Sequence, residues 1–335
     1  MKAFVITGPG EAAVQDVAPP AAAAGEVVVN VARAGVCGTD VEFFTGEMQY
    51  LHDGFADYPM RIGHEWMGTV SAVGDGVDHR WLGRRVTGDT MLGCGACRRC
   101  LAGNQHVCEF RSEIGIRNAR PGALAEQLAV PASALRELPD SVDDALGALV
   151  EPGGNALRAV RGAALTPGDR ALVLGPGTIG LLAAMFARAA GAEVHLLGRS
   201  RSEIDFAKTL GFESSWDADE LPSLAWDAVI DASNASGLPA RALELVEPAG
   251  RLVYIGLAGS PSLIDTRTLV LKDVTAVGVL SASPGLTATV EAYARGEIDP
   301  RPLIAATVSL DELAPVLAGH RPNGAGPGPK IHVSI

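Results

Sequence analysis

Hydrophobic and polar positions run through this chain in two rhythms. Up to about residue 150 the apolar residues come in short runs punctuated by turn residues, among them Gly25–Arg33, Gly68–Val73, Arg85–Thr90 and Leu124–Val130. This predicts the short strands of a compact, barrel-like all-β module. From about residue 165 strands and helices alternate. Asp169–Leu174 reads as a buried strand, Thr178–Ala190 as a helix apolar on most faces, Glu193–Leu197 as a strand and Arg201–Leu210 as a helix. Strands at Trp226–Asp231 and Arg251–Gly256 follow, with a helix at Pro239–Val246 between them. Continuous apolar strands separated by helices predict a parallel sheet covered on both faces. Thr275–Leu280 supplies a further strand. The remaining Gly285–Ile335 carries an amphipathic helix at Thr287–Arg295, a Pro- and Gly-rich loop at Arg321–Pro329 and a last strand at Lys330–Ile335, a tail that can return to the first module.

Composition sets limits on this picture. A chain of 335 residues exceeds what one core usually supports, and at 47% apolar it can fill two. The 39 acidic against 27 basic side chains give a net charge of −12, which argues against a nucleic-acid partner. No apolar passage reaches the ~20 residues of a membrane-spanning helix. Met1–Pro9 has no long apolar stretch of the signal-peptide kind, so a cytoplasmic location is expected.

Cysteine spacing brings in the first chemistry. Four of the five cysteines lie in Cys94-Gly-Ala-Cys97-Arg-Arg-Cys100 and at Cys108. C-x2-C spacing lets a tight turn aim successive sulfurs at one point, and four thiolates close a tetrahedral zinc shell that can hold a coreless loop rigid. The competing reading, two disulfides, needs an oxidising compartment. Cys37 stands apart, in Gly35-Val-Cys-Gly-Thr-Asp40, and Gly63-His64-Glu65 follows it as a second group of metal-ligating side-chain types.

Between the first strand and first helix of the alternating half stands Gly175-Pro-Gly177-Thr178-Ile179-Gly180. In that context the glycines permit a tight turn, close approach of a pyrophosphate and close helix–strand packing, with the phosphates at the helix N-terminus. A carboxylate usually ends the second strand of an NAD site, to accept the ribose hydroxyls. Here the strand ends in Gly198-Arg199-Ser200-Arg201. Guanidinium and hydroxyl groups without the carboxylate suit a 2′-phosphate, so NADP(H) is predicted. The competing reading leaves Arg199 and Arg201 as solvated residues at a helix start.

These segments, with Leu149-Val-Glu151-Pro152, occur in the order and at the approximate distances found in zinc-dependent medium-chain dehydrogenases. The resemblance covers nearly the whole chain and is nearest to the polyol, threonine, sugar and aminocyclitol dehydrogenase branch. It implies a GroES-like catalytic domain from residues 1–152 and 286–335 and an inserted Rossmann domain at 153–285, with the active site between them. It also implies a catalytic zinc on Cys37, His64 and a carboxylate from Glu65 or Glu151, beside a structural zinc on the four-cysteine lobe. Asp40 matches the carboxylate that orients the ligand histidine, and Thr39 the hydroxyl that begins a proton relay.

The implied reaction is reversible hydride transfer between a carbinol carbon and the nicotinamide. Several departures from the family pattern bear on it. Glu42 occupies the position of a relay histidine, which leaves the final proton acceptor open, and Gly153-Gly154 is expected to widen the cleft wall. The polar segment 42–58 points to a polar secondary alcohol, such as a polyol, sugar or aminocyclitol, with Glu42 and His52 as pocket candidates. A broad alcohol dehydrogenase or ketone reductase, a zinc-free enone or quinone reductase, and a non-catalytic binding protein on the same scaffold are the other readings. A homodimer or homotetramer is the expected assembly.

Overall fold

The computed structural model describes residues 1–335, and no helix in it is long and apolar enough to cross a membrane. The alternating half forms a six-stranded sheet that is parallel throughout. In space its strands run Ser215–Trp216, Glu193–Leu197, Arg170–Leu174, Trp226–Asp231, Val246–Tyr254 and Thr275–Gly278. This is the doubly wound order in which a crevice opens at the carboxyl ends of the first and fourth strands to form. Side chains alternate across it. Ala171 and Val173 enter one core, shared with the helix Thr178–Ala189, while Leu172 and Leu174 enter another on the opposite face with Leu243 of the helix Leu238–Leu245. That two-residue period is why the strands read as continuous apolar runs.

The first half builds a seven-stranded sheet, and the C-terminal tail joins it. The path is Ile304–Ser309, Lys330–Ser334, Glu26–Gly35, Glu65–Val73, Arg85–Gly88 and Leu135–Glu137, with Gln127–Pro131 also paired to Glu26–Gly35. Lys330–Ser334 runs antiparallel to Glu26–Gly35, with His332 opposite Gly35. This register carries Lys330 to the end of Glu26–Gly35 that leads into Cys37.

Two helices depart from the predicted pattern. Gly38–Thr45 interrupts the β-rich half, so that module is not all-β. Asp40 nucleates it by accepting from the Cys37 amide at 2.9 Å, a side-chain cap that strand periodicity does not register. Val150–Ala163 begins Val-Glu-Pro-Gly-Gly, a run whose low helix propensity concealed it. Tertiary packing overrides that propensity: a Cβ on Gly153 would collide with the Tyr293 hydroxyl, and one on Gly154 with Ala282. The glycines are therefore filled against neighbours, and the expected widening of the cleft wall does not occur.

Candidate active site and metal centres

The four-cysteine lobe is a closed cluster. Cys94 and Cys100 sulfurs are 4.0 Å apart and those of Cys97 and Cys108 are 3.8 Å apart. The edge of a tetrahedron with Zn–S of ~2.3 Å is about 3.8 Å, so the spacing fits a tetrathiolate and is far too long for S–S bonds. Backbone amides of Cys94, Cys97 and Cys100 point at neighbouring sulfurs at 3.4–3.5 Å. Amides of Ala96 and Cys97 pull the Cys94 thiol down to about 6. The lobe is tied to the rest through buried Asp89, which accepts from Gln105 at 3.0 Å and from Ser283 at 2.8 Å.

A second cluster gathers Cys37, His64 and Glu65, with ligand atoms all within 4.8 Å of one another. Its parts come from far apart: Cys37 precedes a helix, and Glu65 opens the strand Glu65–Val73. Asp40 is fully buried and links them, accepting from Cys37 N at 2.9 Å and Gly63 N at 3.2 Å. It faces His64 Nδ1 at 3.7 Å, so that nitrogen is buried without a hydrogen-bond partner. Burial opposes charge on His64, but Asp40 and Cys37 overcome this and hold its pKa well above 6.5. Glu151 lies in the first turn of Val150–Ala163, accepts from Asn155 at 2.9 Å and feels both His64 and Glu65. Burial raises its carboxyl to about 7. A thiol, an imidazole and two carboxyl groups are a donor set that fits a divalent metal. Thr39, half-buried, sits in the first helical turn beside Cys37.

At the crevice, Gly175 has φ of +88° and opens the turn, while a Cβ on Gly180 would strike the Gly175 carbonyl. Nothing lies within 4 Å of a Cβ built on Gly177, which leaves open space before the helix N-terminus at Thr178 and Ile179. That is the geometry for a pyrophosphate to approach backbone amides. Downstream, Ser200 caps Arg201–Thr209 and Arg201 turns to Asp205 at 3.1 Å, leaving Arg199 93% exposed in its side chain.

Comparison with known proteins agrees with this geometry. Residues 23–140 match the alcohol dehydrogenase GroES-like domain family, and residues 178–295 the zinc-binding dehydrogenase family. The chain is 32% identical to an L-threonine 3-dehydrogenase of Idiomarina loihiensis over 79% of each chain. It is 30% identical to a sorbitol dehydrogenase of Halalkalibacterium halodurans over 85% of each. This chain is a zinc-dependent medium-chain dehydrogenase of the polyol and threonine branch. Solved relatives superpose over its full length: an alcohol dehydrogenase of Escherichia coli CFT073 with NADH (26% identity, 99% of that chain, TM-score 0.91), and a zinc-binding dehydrogenase of Sinorhizobium meliloti 1021 with NADP (28%, 99%, 0.89).

In this dehydrogenase the structure adds residues that motif reading missed. Lys330, buried, contacts both Glu65 oxygens at 2.7 and 2.8 Å and donates to the Val36 carbonyl at 2.9 Å. Nothing in the sequence near Lys330 signals this, because the partner lies 265 residues away. Tyr293 donates to the Leu149 carbonyl at 3.0 Å and so holds the turn before Glu151. The proposed pocket residues Glu42 and His52 are exposed. Glu113, by contrast, is buried and pairs with Arg111 at 2.7 Å while accepting from Tyr50 at 3.3 Å.

Proposed function

We propose that this dehydrogenase holds two zinc ions, prefers NADP(H), and interconverts a polar secondary alcohol of the polyol, sugar or aminocyclitol type with its ketone. The observation that carries the reading is the convergence of Cys37, His64 and Glu65, with Glu151 in electrostatic reach, in a chain that also carries the open glycine turn. When bound, zinc supplies Lewis-acid polarisation of the substrate oxygen, and the nicotinamide exchanges the hydride. The residues do the rest. Cys37, His64 and one carboxylate would hold the metal and leave a position for substrate, and Asp40, facing His64 Nδ1 at 3.7 Å, would orient the imidazole. Glu65 is the nearer carboxylate and is paired with Lys330, which would bias the metal's choice between Glu65 and Glu151. Thr39 takes the substrate proton. Glu42, one helical turn on, has its carboxyl raised by partial desolvation and by Glu47, which suits it to pass the proton to solvent.

The NADP preference rests on the missing carboxylate at Gly198 and on exposed Arg199, whose one ion-pair partner, Glu203, lies at 4.0 Å. One charge-assisted contact of roughly 1.5–3 kcal/mol corresponds to a tenfold or larger preference. Arg199→Ala should erase most of it, read as the ratio of kcat/KM for the two cofactors, and equal ratios in the parent enzyme would refute the assignment. The substrate class is tested by comparing kcat/KM for cyclitols, aminocyclitols and sugars with cyclohexanol and benzyl alcohol. Faster turnover of the apolar alcohols would favour the broad alcohol dehydrogenase instead. For assembly, Thr275–Gly278 is an unpaired sheet edge flanked by exposed Leu263, Val270 and Leu271, which supports pairing with a second copy. Light scattering of Val270→Asp/Leu271→Asp should show a smaller particle than the parent. A thiolate lobe of this kind also favours a reducing, cytoplasmic setting.

A further inference from the structure

Away from the zinc and cofactor residues, a cavity of about 360 Å³ is lined by residues of the N-terminal segment, of 56–61 and of 116–121. Three arginines, Arg61, Arg117 and Arg120, are among its lining residues, with Asp57 the single acidic one. Their pairing is incomplete. Glu113 lies 2.7 Å from Arg111, and the same oxygen is 4.0 Å from Arg117. The Arg117 side chain is only 9% exposed, its Nε has no partner, and its guanidinium lies 3.8 Å over the Phe55 ring. Stacking of this kind fixes the group in place. Arg120 donates to Glu26 at 2.7 Å and to the Ala129 carbonyl at 2.9 Å, yet its buried Nε is also unpartnered. Arg61 is half-buried, and burial alone, with no carboxylate to offset it, lowers its pKa. Desolvated guanidinium donors left unpaired are costly, and a planar or tetrahedral oxyanion satisfies several at once.

We propose that this cavity is a binding site for a small organic anion, its phosphate or carboxylate head group held by Arg61, Arg117 and Arg120 and its body lying against Val5 and Met60. The volume lies in the range of small-molecule sites. It is separate from the candidate catalytic residues, none of which lines it.

The test is isothermal titration of the zinc-loaded full-length protein with phenyl phosphate and, separately, with succinate, at ionic strength matched with chloride. One site per chain with Kd below about 1 mM for at least one probe is expected, and the tighter probe identifies the head group. Arg61→Met should weaken that binding at least about tenfold, the loss of one charge-assisted contact. Asp57→Asn, which removes the opposing carboxylate, should tighten it, and this arm stands even if Arg61→Met fails to fold. Arg199→Ala should leave it unchanged, because that side chain belongs to the dinucleotide crevice. No saturable binding of either probe would overturn the proposal. So would binding lost in Arg199→Ala but kept in Arg61→Met, or weaker binding in Asp57→Asn.

Discussion

The two candidate metal clusters of this protein are built in opposite ways. The cysteine lobe takes its four sulfurs from 15 consecutive residues, Cys94 to Cys108, and shapes them with local turns and N–H···S contacts. The candidate catalytic cluster draws on a helix start, a strand start, a second helix and the last strand of the chain. The lobe can form wherever four thiolates meet a metal, whereas the catalytic cluster exists only once two sheets and their helices have packed. A local site depends on its ligand, and a dispersed site depends on the fold that holds it.

That contrast can be broken at its strongest point first. His64→Ala should lower kcat/KM by about a thousandfold or more, the loss of several kcal/mol of transition-state charge stabilisation. The thermal midpoint should stay within a few degrees, and retention of even a tenth of the activity would remove His64 from the metal site. Lys330→Met comes next. It leaves buried Glu65 without its cation, so stability should fall by about 3–5 kcal/mol in denaturant titration, and adding Glu65→Gln should restore most of the loss. An unchanged midpoint in the single variant would show that Glu65 has another counter-charge.

Cys97→Ser addresses the local site. Metal analysis should read one zinc per chain instead of two, and the midpoint should drop by about 6–12 °C, taking ~3 kcal/mol at 2–4 °C per kcal/mol. Cofactor binding should persist, and its loss would mean that the lobe, through Asp89 and Ser283, governs the crevice as well. The smallest effect is expected for Asn155→Ala. It removes the 2.9 Å hydrogen bond to Glu151 and should cost about 1 kcal/mol. A matching few-fold fall in kcat would place Glu151 in the reacting set, whereas a change in stability alone would leave it structural.

Particular elements show why some of this was legible beforehand. The parallel sheet is readable because its central strands Arg170–Leu174 and Trp226–Asp231 are apolar runs buried on both faces, whereas the short edge strand Ser215–Trp216 carries no such run. Trp226–Asp231 and Glu193–Leu197 coincide with their predicted bounds. The helix Val150–Ala163 was not readable, because its glycines are explained by Tyr293 and Ala282 more than a hundred residues away. Glu42 and His52 lie on the exposed face of their segment, and polarity without contact information cannot say which of its polar residues meet a substrate.

The sequence by itself determined the cysteine lobe, the glycine turn at the first helix and the doubly wound sheet, because each is a matter of local spacing and periodicity. Only the tertiary structure decided that Lys330 closes on Glu65, that Gly153 and Gly154 are packed instead of open, and that three arginines from two separate segments share one cavity. Those outcomes depend on which distant backbones come within a few ångströms of each other, and that distance is set by packing of the whole chain.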